Sequence, residues 1–285
     1  MDPRAQLRQW NIQPAKKLGQ HFLVDEGALR KIVTAAEVDG ETVVLEIGAG
    51  LGALTCHLAQ QAKRVVAVEL DERLMPPLRE ALAGVDNVAL VRADVLEVDV
   101  PSLVAGGPEA GLGQCPPYVV VGNLPYYITS AVLRHVLESN PRPDRLVVTV
   151  QREVAERIVA SPGQMSMLSV SVQFFGEPRI QFRIKPGAFY PSPAVESAVI
   201  RVDLRPPSEV DAEDSSTLFR VARAGFSQRR KQLRNALAAG LQLSGSEVTA
   251  RLGAVGVDAT RRAQSLSLDE WRLLAGALGS ARPAP

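Results

Sequence analysis

The chain has 285 residues, of which 46% are hydrophobic and 22% charged, so it is long enough for one large globular domain and a smaller one. No apolar run reaches the roughly 20 residues that span a bilayer, and residues 1–11 are polar rather than signal-like, so we expect a cytoplasmic protein. Two cysteines, Cys56 and Cys115, are too few for a disulfide framework and lack metal-ligand spacing, so no metal site is predicted.

The formal net charge of +1 conceals two segments of opposite charge. Residues 215–285 hold 11 Lys and Arg against 4 Asp and Glu, whereas the rest of the chain holds 21 against 27. A basic module attached to an acidic one suggests a polyanionic partner such as nucleic acid. A solvated basic face is nevertheless the commoner explanation of any single charge run.

Strand and helix patterns alternate through the first half of the chain. The segment before them, residues 14–23, mixes lysines, Gly and Gln with apolar residues and indicates a tether or arm. Helices are predicted at residues 26–36, 53–61, 73–82, 130–138 and 151–159. Strands are predicted at residues 42–47, 64–69, 88–92, 118–122 and 145–150. Such alternation predicts an α/β fold with a parallel, doubly wound sheet.

Three later stretches carry weaker signals. Residues 100–117 are rich in Gly and Pro and indicate a surface loop without function of its own. Residues 167–175 and 198–204 look strand-like with no clear helix between them, so we expect an antiparallel pair to close the sheet. From Ser215 onward the pattern is purely helical. The predicted division is a domain over 1–205 with an N-terminal arm over 1–25, a linker over 206–214 and a helical domain over 215–285.

A glycine-rich loop, residues 48–53, follows the first strand of the alternating pattern and satisfies the loose dinucleotide pattern, so an NAD-dependent enzyme is one interpretation. Such a loop serves a pyrophosphate and other adenosine ligands alike. Glu69 ends the second strand, where it can accept both ribose hydroxyls, and Asp94 ends the third, where it can accept from the adenine amino group. Acidic residues at successive strand ends suit an uncharged adenosine with a sulfonium better than two phosphates, which points to S-adenosylmethionine. Helix capping is the structural alternative for both.

A carboxylate also lies inside the strand before this loop. Burying the Glu46 carboxylate in the core would cost free energy unless it pairs with a backbone donor or faces a cationic ligand. The alternative is that it braces the N-terminal arm or the glycine loop.

The loop Asn123-Leu124-Pro125-Tyr126 follows a buried strand and suits methylation of an exocyclic base nitrogen. Such a nitrogen is a poor nucleophile, and Asn123 Oδ1 and the Leu124 carbonyl can accept its hydrogens while Pro125 fixes the turn and Tyr126 stacks on the base. In isolation the same loop would be an ordinary strand-ending turn. Phe189, in a proline-rich loop, could sandwich the base from the other side or anchor its loop in the core.

With those residues in hand, the sequence resembles the ribosomal RNA adenine N6,N6-dimethyltransferase family, the KsgA-type enzymes of the small ribosomal subunit. The likeness runs nearly end to end and is carried by the motifs KKLGQHFL, EIGAGLG, VAVELD, NLPY, QREVAERI, GAFYPSPAVES, FSQRRKQLRNAL and RAQSLSLDEW. It implies a class I, Rossmann-like methyltransferase domain with S-adenosylmethionine as donor. The implied substrate is a pair of adjacent adenosines in a hairpin loop near the 3′ end of the small-subunit (16S) RNA.

The resemblance also implies roles for particular positions. The family's cofactor contacts fall on His21, Leu23, Gly48, Glu69, Asp94 and Asn123. The target base is implied to lie against Asn123, Leu124, Pro125, Tyr126 and Phe189. His21 is a departure, because the family commonly carries Asn there; a backbone contact would survive the change.

Five basic residues near the start of the helical segment are candidates for RNA contacts. Arg223, Arg230 and Arg234 recur at intervals that put them on one stripe of a continuous helix, with Arg229 and Lys231 flanking. Such a stripe can follow a phosphate backbone, although it also fits a solvated face. We expect the partners to be small-subunit ribosomal RNA and the immature small subunit, bound by a monomer.

Three alternatives differ from this reading. A ribosome-assembly factor could keep the fold without the chemistry, but the intact loop at residues 123–126 favours an enzyme. Antibiotic-resistance methyltransferases of the large-subunit RNA share the cofactor loop and a motif like NLPY, whereas the C-terminal helices favour the small subunit. An NAD oxidoreductase is disfavoured because nothing in the sequence supplies a hydride-transfer site.

Overall fold

The computed structural model describes residues 3–106, 115–210 and 212–279, and the chain divides into two compact units. The first unit comprises Met1–Ala155 and Glu177–Leu204, and the second comprises Glu156–Gly176 and Arg205–Pro285. The strands are β1 (Phe22–Leu23), β2 (Val43–Ile47), β3 (Arg64–Glu69), β4 (Val88–Arg92), β5 (Tyr118–Asn123), β6 (Arg145–Gln151), β7 (Gly176–Ile184), β8 (Phe189–Tyr190) and β9 (Ser197–Leu204). The helices are α1 (Pro3–Gln9), α2 (Glu26–Ala36), α3 (Ala53–Ala59), α4 (Met75–Ala81), α5 (Val100–Ala105), α6 (Thr129–Leu137), α7 (Arg152–Ile158), α8 (Met167–Phe175), α9 (Ala212–Phe226), α10 (Leu233–Leu241), α11 (Gly245–Ala254) and α12 (Leu268–Gly279).

The first unit is built on a seven-stranded sheet in the order β4-β3-β2-β5-β6-β9-β7. The five strands from β2 to β6 pair in parallel, and β9 pairs antiparallel with β6. All five residues of β2 are buried, as expected for an apolar strand covered on both faces. Helix α2, which Asp25 caps by accepting from the Ala28 N–H at 2.7 Å, contributes its apolar face to the same core. The predicted α/β sheet is therefore confirmed.

The parallel register lines up the carboxyl ends of the central strands. Ile47 lies opposite both Val68 and Gly122, so the residues that follow them emerge at one edge of the sheet. At Gly122 the strands approach so closely that a Cβ atom would lie 2.6 Å from the Ile47 carbonyl oxygen. Glycine at this position allows β5 to deliver the next residue, Asn123, to that edge.

The strand predicted at residues 167–175 is wrong, because this segment forms helix α8. A short apolar run does not distinguish a buried strand from a buried helix, and here Ser166 begins the helix with a capping box that it shares with Ser169. The strand missed by the prediction is β7, whose side chains alternate between exposed and more buried positions, as in an edge strand. The predicted antiparallel pair of residues 167–175 and 198–204 is therefore not formed; the second segment is β9, which pairs antiparallel with β6 and lies between β6 and β7.

The loop predicted at residues 100–117 is also partly wrong. Its first residues form helix α5, which begins after Asp99; the Asp99 carboxylate accepts from the Ser102 N–H at 2.9 Å. Pro101 fits the first turn of this helix, where no backbone donor is needed. Residues 107–114 of the predicted loop lie outside the described residues.

The second unit is helical, with Trp271 fully buried at its centre. The Trp271 ring lies 5.2 Å from that of Phe226, and a Cβ atom at Gly225 would lie 2.5 Å from it. This unit includes Glu156–Gly176, which the sequence placed in the first domain. The Gln264 carbonyl accepts from the N–H groups of Gly163 and Met165 at 2.9 and 3.1 Å, which ties that segment to the C-terminal helices. Within the described ranges, no helix is long and apolar enough to cross a membrane.

Candidate active site

A cleft at the carboxyl edge of β2, β3 and β5 collects most of the predicted site residues. It is lined by His21, Gly48, Glu69, Asp94, Asn123, Leu124, Pro125 and Tyr126, together with apolar neighbours. The aligned strand ends explain this convergence, because parallel strands present the residues that follow them at one edge.

Glu69 connects the second strand to the glycine loop. Its Oε2 accepts from the Gly50 N–H at 2.8 Å and its Oε1 accepts from the Asp71 N–H at 2.7 Å. Burial raises the pKa of this carboxyl, while the two hydrogen bonds oppose the shift. Gly48, with φ of +79°, takes a backbone conformation that favours glycine. The carboxylate is thereby held in one orientation beside the loop.

Asp94 and Leu70 form a different part of the cleft. Asp94 Oδ1 accepts from the Leu96 N–H at 2.9 Å, whereas Oδ2 has no hydrogen-bond partner among the described residues. Leu70, the residue after Glu69, is 43% exposed and lines the cleft with Val95 and Ile128. An apolar wall beside an acceptor oxygen suits a flat ring with an amino group at its edge. Sequence reasoning missed Leu70.

The Asn123 side chain is oriented by the backbone of the N-terminal arm. Its Nδ2 donates to the His21 carbonyl at 2.8 Å. Because a carbonyl oxygen only accepts, the amide nitrogen faces His21 and the amide oxygen faces the other way, where it has no partner within the described chain. The Leu124 N–H donates to the Thr149 carbonyl at 3.2 Å, and the buried Leu124 side chain anchors the loop.

Tyr126 is fixed at both ends of its side chain. Its hydroxyl lies 2.7 Å from Ser197 Oγ, and its ring is stacked with that of His21, with centroids 5.7 Å apart and planes at 24°. Burial raises the pKa of this phenol and the Ser197 hydrogen bond partly offsets the shift, so the phenol stays neutral. His21 Nδ1 lies 2.7 Å from the Pro191 carbonyl, so it carries the proton it donates there.

The predicted arm is part of the wall of the cleft rather than a tether. Strand β1 pairs antiparallel with β8, so Phe22 lies opposite Tyr190. Gln20 Nε2 donates to Asp71 Oδ2 at 2.8 Å, and Gln20 Oε1 accepts from the Ala15 N–H at 2.7 Å. Sequence reasoning missed Gln20 because Asp71 lies 51 residues away in the sequence and no local pattern signals the contact.

The cleft does not include the side chains of Leu23 and Phe189. They lie opposite each other in the β1–β8 pair, at 5% and 2% exposure, and both belong to the hydrophobic core. In this structure Phe189 is the loop anchor that the sequence left open as an alternative. Leu23 instead lines a smaller cavity behind the glycine loop, together with Gly48 and Asn123.

Glu46 lies behind the glycine loop, beside a smaller cavity that Gly48 and Asn123 also line. It is 1% exposed, and burial raises its pKa to about 7, with a further contribution from the charge of Glu69. The hydroxyl of Thr55 lowers this pKa somewhat, but neither Glu46 Oε2 nor Thr55 Oγ1 has a partner of normal hydrogen-bond geometry. An unpartnered buried carboxyl of this kind is costly when ionised.

Comparison with known proteins identifies the family. The family model of the ribosomal RNA adenine dimethylases matches residues 12–277. The chain belongs to this family. The ribosomal RNA small subunit methyltransferase A of Moorella thermoacetica is 45% identical over 269 residues, covering 94% of this chain and 93% of that protein. The protein of the same name from Dehalococcoides mccartyi (strain CBDB1) is 44% identical over 265 residues, covering 93% of this chain and 88% of that protein.

A solved structure supports the same conclusion. The crystal structure of the 23S rRNA methyltransferase ErmE is 28% identical, with a TM-score of 0.70, and the match covers 91% of this chain and 100% of that one. The family resemblance inferred from the motifs is thus confirmed, and with it the assignment of the chain as an adenine dimethyltransferase enzyme.

The basic residues that this dimethylase carries in its second unit do not form the predicted helical stripe. Helix α9 ends at Phe226, so Arg229, Arg230 and Lys231 lie in the turn before α10, which carries Arg234. The first N–H groups of α10 donate to carbonyls near residue 260 rather than to a preceding helical turn. All five side chains, including Arg223, are exposed, and none forms an ion pair within the described part of the chain. Their role in RNA binding stays a prediction.

Proposed function

We propose that this enzyme transfers methyl groups from S-adenosylmethionine to the N6 amino groups of two adjacent adenosines in a hairpin loop near the 3′ end of small-subunit ribosomal RNA. The observation that carries the proposal is the free amide oxygen of Asn123 in the cleft. The hydrogen bond from Asn123 Nδ2 to the His21 carbonyl fixes the orientation of this amide. The names of the relatives from M. thermoacetica and D. mccartyi support the small subunit as the source of the RNA.

The residues of the cleft fit the donor. Glu69 has acceptor capacity left for ribose hydroxyls after its two backbone hydrogen bonds, and Asp94 Oδ2 can accept from the adenine amino group beside Leu70. Gly48 lets the backbone of the loop approach closely. When bound, the donor supplies a methyl group on a sulfonium, which is already a strong electrophile.

The loop at residues 123–126 then activates the acceptor. The N6 lone pair of adenine is delocalised into the ring, and hydrogen bonds from the amino group to Asn123 Oδ1 and the Leu124 carbonyl favour the pyramidal nitrogen that attacks the methyl carbon. The new carbon–nitrogen bond would form as the bond between the methyl carbon and the donor's sulfur breaks, with the electron pair left on a neutral thioether; the nitrogen then releases a proton to water. Tyr126 is a neutral, hydrogen-bonded phenol, so we assign it to stacking rather than to proton transfer.

We further propose that the enzyme acts as a monomer on immature small subunits in the cytoplasm. The exposed basic residues of the second unit support a contact with phosphates. A second candidate substrate is large-subunit RNA, because the solved relative ErmE is named as a 23S rRNA methyltransferase. A non-enzymatic assembly role is disfavoured by the intact cleft.

The test is a transfer assay with a labelled donor on two substrates, unmethylated small-subunit particles and large-subunit RNA. We expect label in the small-subunit RNA only. Label confined to large-subunit RNA would overturn the substrate assignment, and absence of label from both would favour the assembly role.

A further inference from the structure

A second groove lies next to the cleft, along the N-terminal arm. Its described lining comes from α1, the arm and the segment after β8, and it shares Gly19, Gln20 and His21 with the cleft. The groove is therefore adjacent to the cleft, within reach of the nucleotides that flank a base bound there.

The groove is positively charged. Arg4, Arg8 and Lys16 line it, and no carboxylate occurs among its described lining residues. Arg8 and Lys16 are exposed and form no ion pair with any residue the structure describes. Asp71, the nearby carboxylate that holds Gln20, is balanced by Arg73 at 2.6 Å. Arg8 and Lys16 are therefore available to an anionic ligand.

The groove also offers an aromatic platform. The Arg4 guanidinium lies over the Tyr190 ring, 5.2 Å from its centroid. Tyr190 is itself held by the β1–β8 pair and packs against Leu7 and Phe22. Cations interleaved with stacked planar groups are typical of sites for single-stranded nucleic acid rather than for acidic peptides.

We propose that this groove binds the RNA strand that flanks the target adenosine, with Arg8 and Lys16 contacting backbone phosphates. This inference rests on the proposed function, because it assigns the groove to the same RNA. It places an RNA contact within the first unit, separate from the basic residues of the second.

The test compares two double variants with matched charge loss. Arg8→Gln/Lys16→Gln removes the groove cations, and Arg30→Gln/Lys63→Gln removes two exposed cations that do not line the groove. The probe is an unmethylated RNA hairpin with two adjacent adenosines in its loop, and its Kd is measured against salt concentration without donor. Each phosphate contact to a single strand contributes about 0.7 to the slope of log affinity on log salt, so the groove variant should lose about 1.4.

The control variant should keep the wild-type slope, and both variants should keep wild-type affinity for S-adenosylmethionine. A groove variant with the same slope as the control variant would overturn the proposal. Polyglutamate serves as a probe for an acidic peptide, and a groove variant that loses affinity for polyglutamate but keeps its affinity for the hairpin would overturn it too. These measurements distinguish a failure of the groove proposal from a failure of the proposed methyl-transfer function. A wild-type protein that transfers no methyl group, yet shows the groove-dependent slope, would defeat only the proposed function.

Discussion

At the scale of single residues, the amide of Asn123 is positioned by the protein's own backbone. The donor to the His21 carbonyl must be Nδ2, so the amide oxygen is directed away from the arm whether or not a ligand is present. This preorganisation requires a side chain that is donor at one end and acceptor at the other.

Asn123→Ala should therefore lower the single-turnover rate of methyl transfer by about 100-fold or more, because an acceptor for the amino hydrogens is lost. Asn123→Asp keeps the size of the side chain and should fail as well, since a carboxylate would face the His21 carbonyl without a donor. A wild-type rate in Asn123→Ala would rule out the amine-acceptor role.

Glu46 gives a prediction about pH. Burial raises its pKa from 4.5 to about 7, so between these values the folded protein binds more protons than the unfolded chain and the free energy of unfolding falls as pH rises. Glu46→Gln removes this contribution. Relative to wild type, its free energy of unfolding should rise by about 2 kcal/mol between about pH 5 and about pH 8. Urea unfolding at both pH values measures this difference, and a pH-independent difference would contradict the assigned burial cost.

At the scale of elements, strand β5 couples the sheet to the site through Gly122. In Gly122→Ala the new methyl group would lie 2.6 Å from the carbonyl oxygen of Ile47. Because this oxygen belongs to the backbone of β2, it cannot move aside as a flexible side chain could. We expect a loss of about 2 kcal/mol or more in the free energy of unfolding, together with slower methyl transfer because Asn123 follows directly.

The matched control is Gly40→Ala. Gly40 lies shortly before β2, and a Cβ atom added there would have no other atom within 4 Å. This variant should unfold within about 0.5 kcal/mol of wild type. Equal stability of the two variants in chemical unfolding would show that β2 and β5 can separate at no cost.

Elements with strong local signals could be predicted from the sequence. The bounds of β3, β4 and α2 are those predicted, because β3 and β4 are short apolar runs and α2 has helical periodicity with an end signal at Asp25. Helix α8 was misread because an apolar run of this length has no decisive period, and β7 was overlooked although its alternation was visible in the sequence.

The site was predictable to the extent that it lies at strand ends. The topology brings Glu69, Asp94 and Asn123 together, as expected for parallel strands. The contact between Asn123 and His21 joins residues 102 apart in sequence, and the burial of Phe189 depends on the pairing of β1 with β8. Neither follows from a local pattern, since both depend on how distant segments pack.

At the scale of the whole molecule, the charge asymmetry of the sequence becomes a basic turn in the second unit. Charge reversal in Arg230→Glu/Arg234→Glu should weaken binding to the small-subunit particle, more strongly at low salt, while donor affinity is unchanged. Arg30→Glu/Lys63→Glu provides a control with the same change in net charge. Loss of donor binding, or equal weakening in the control, would defeat the assignment of this turn to RNA.

The central claim is that the enzyme methylates adenine N6 in small-subunit RNA, with the amino group bound by the loop at residues 123–126. It is tested most directly by mass-spectrometric mapping of methylated nucleosides after the wild-type protein has acted on unmethylated small-subunit particles with S-adenosylmethionine. We predict N6,N6-dimethyladenosine at two adjacent positions in a hairpin loop near the 3′ end. Methyl groups on other atoms or other nucleotides, or none at all, would contradict the claim.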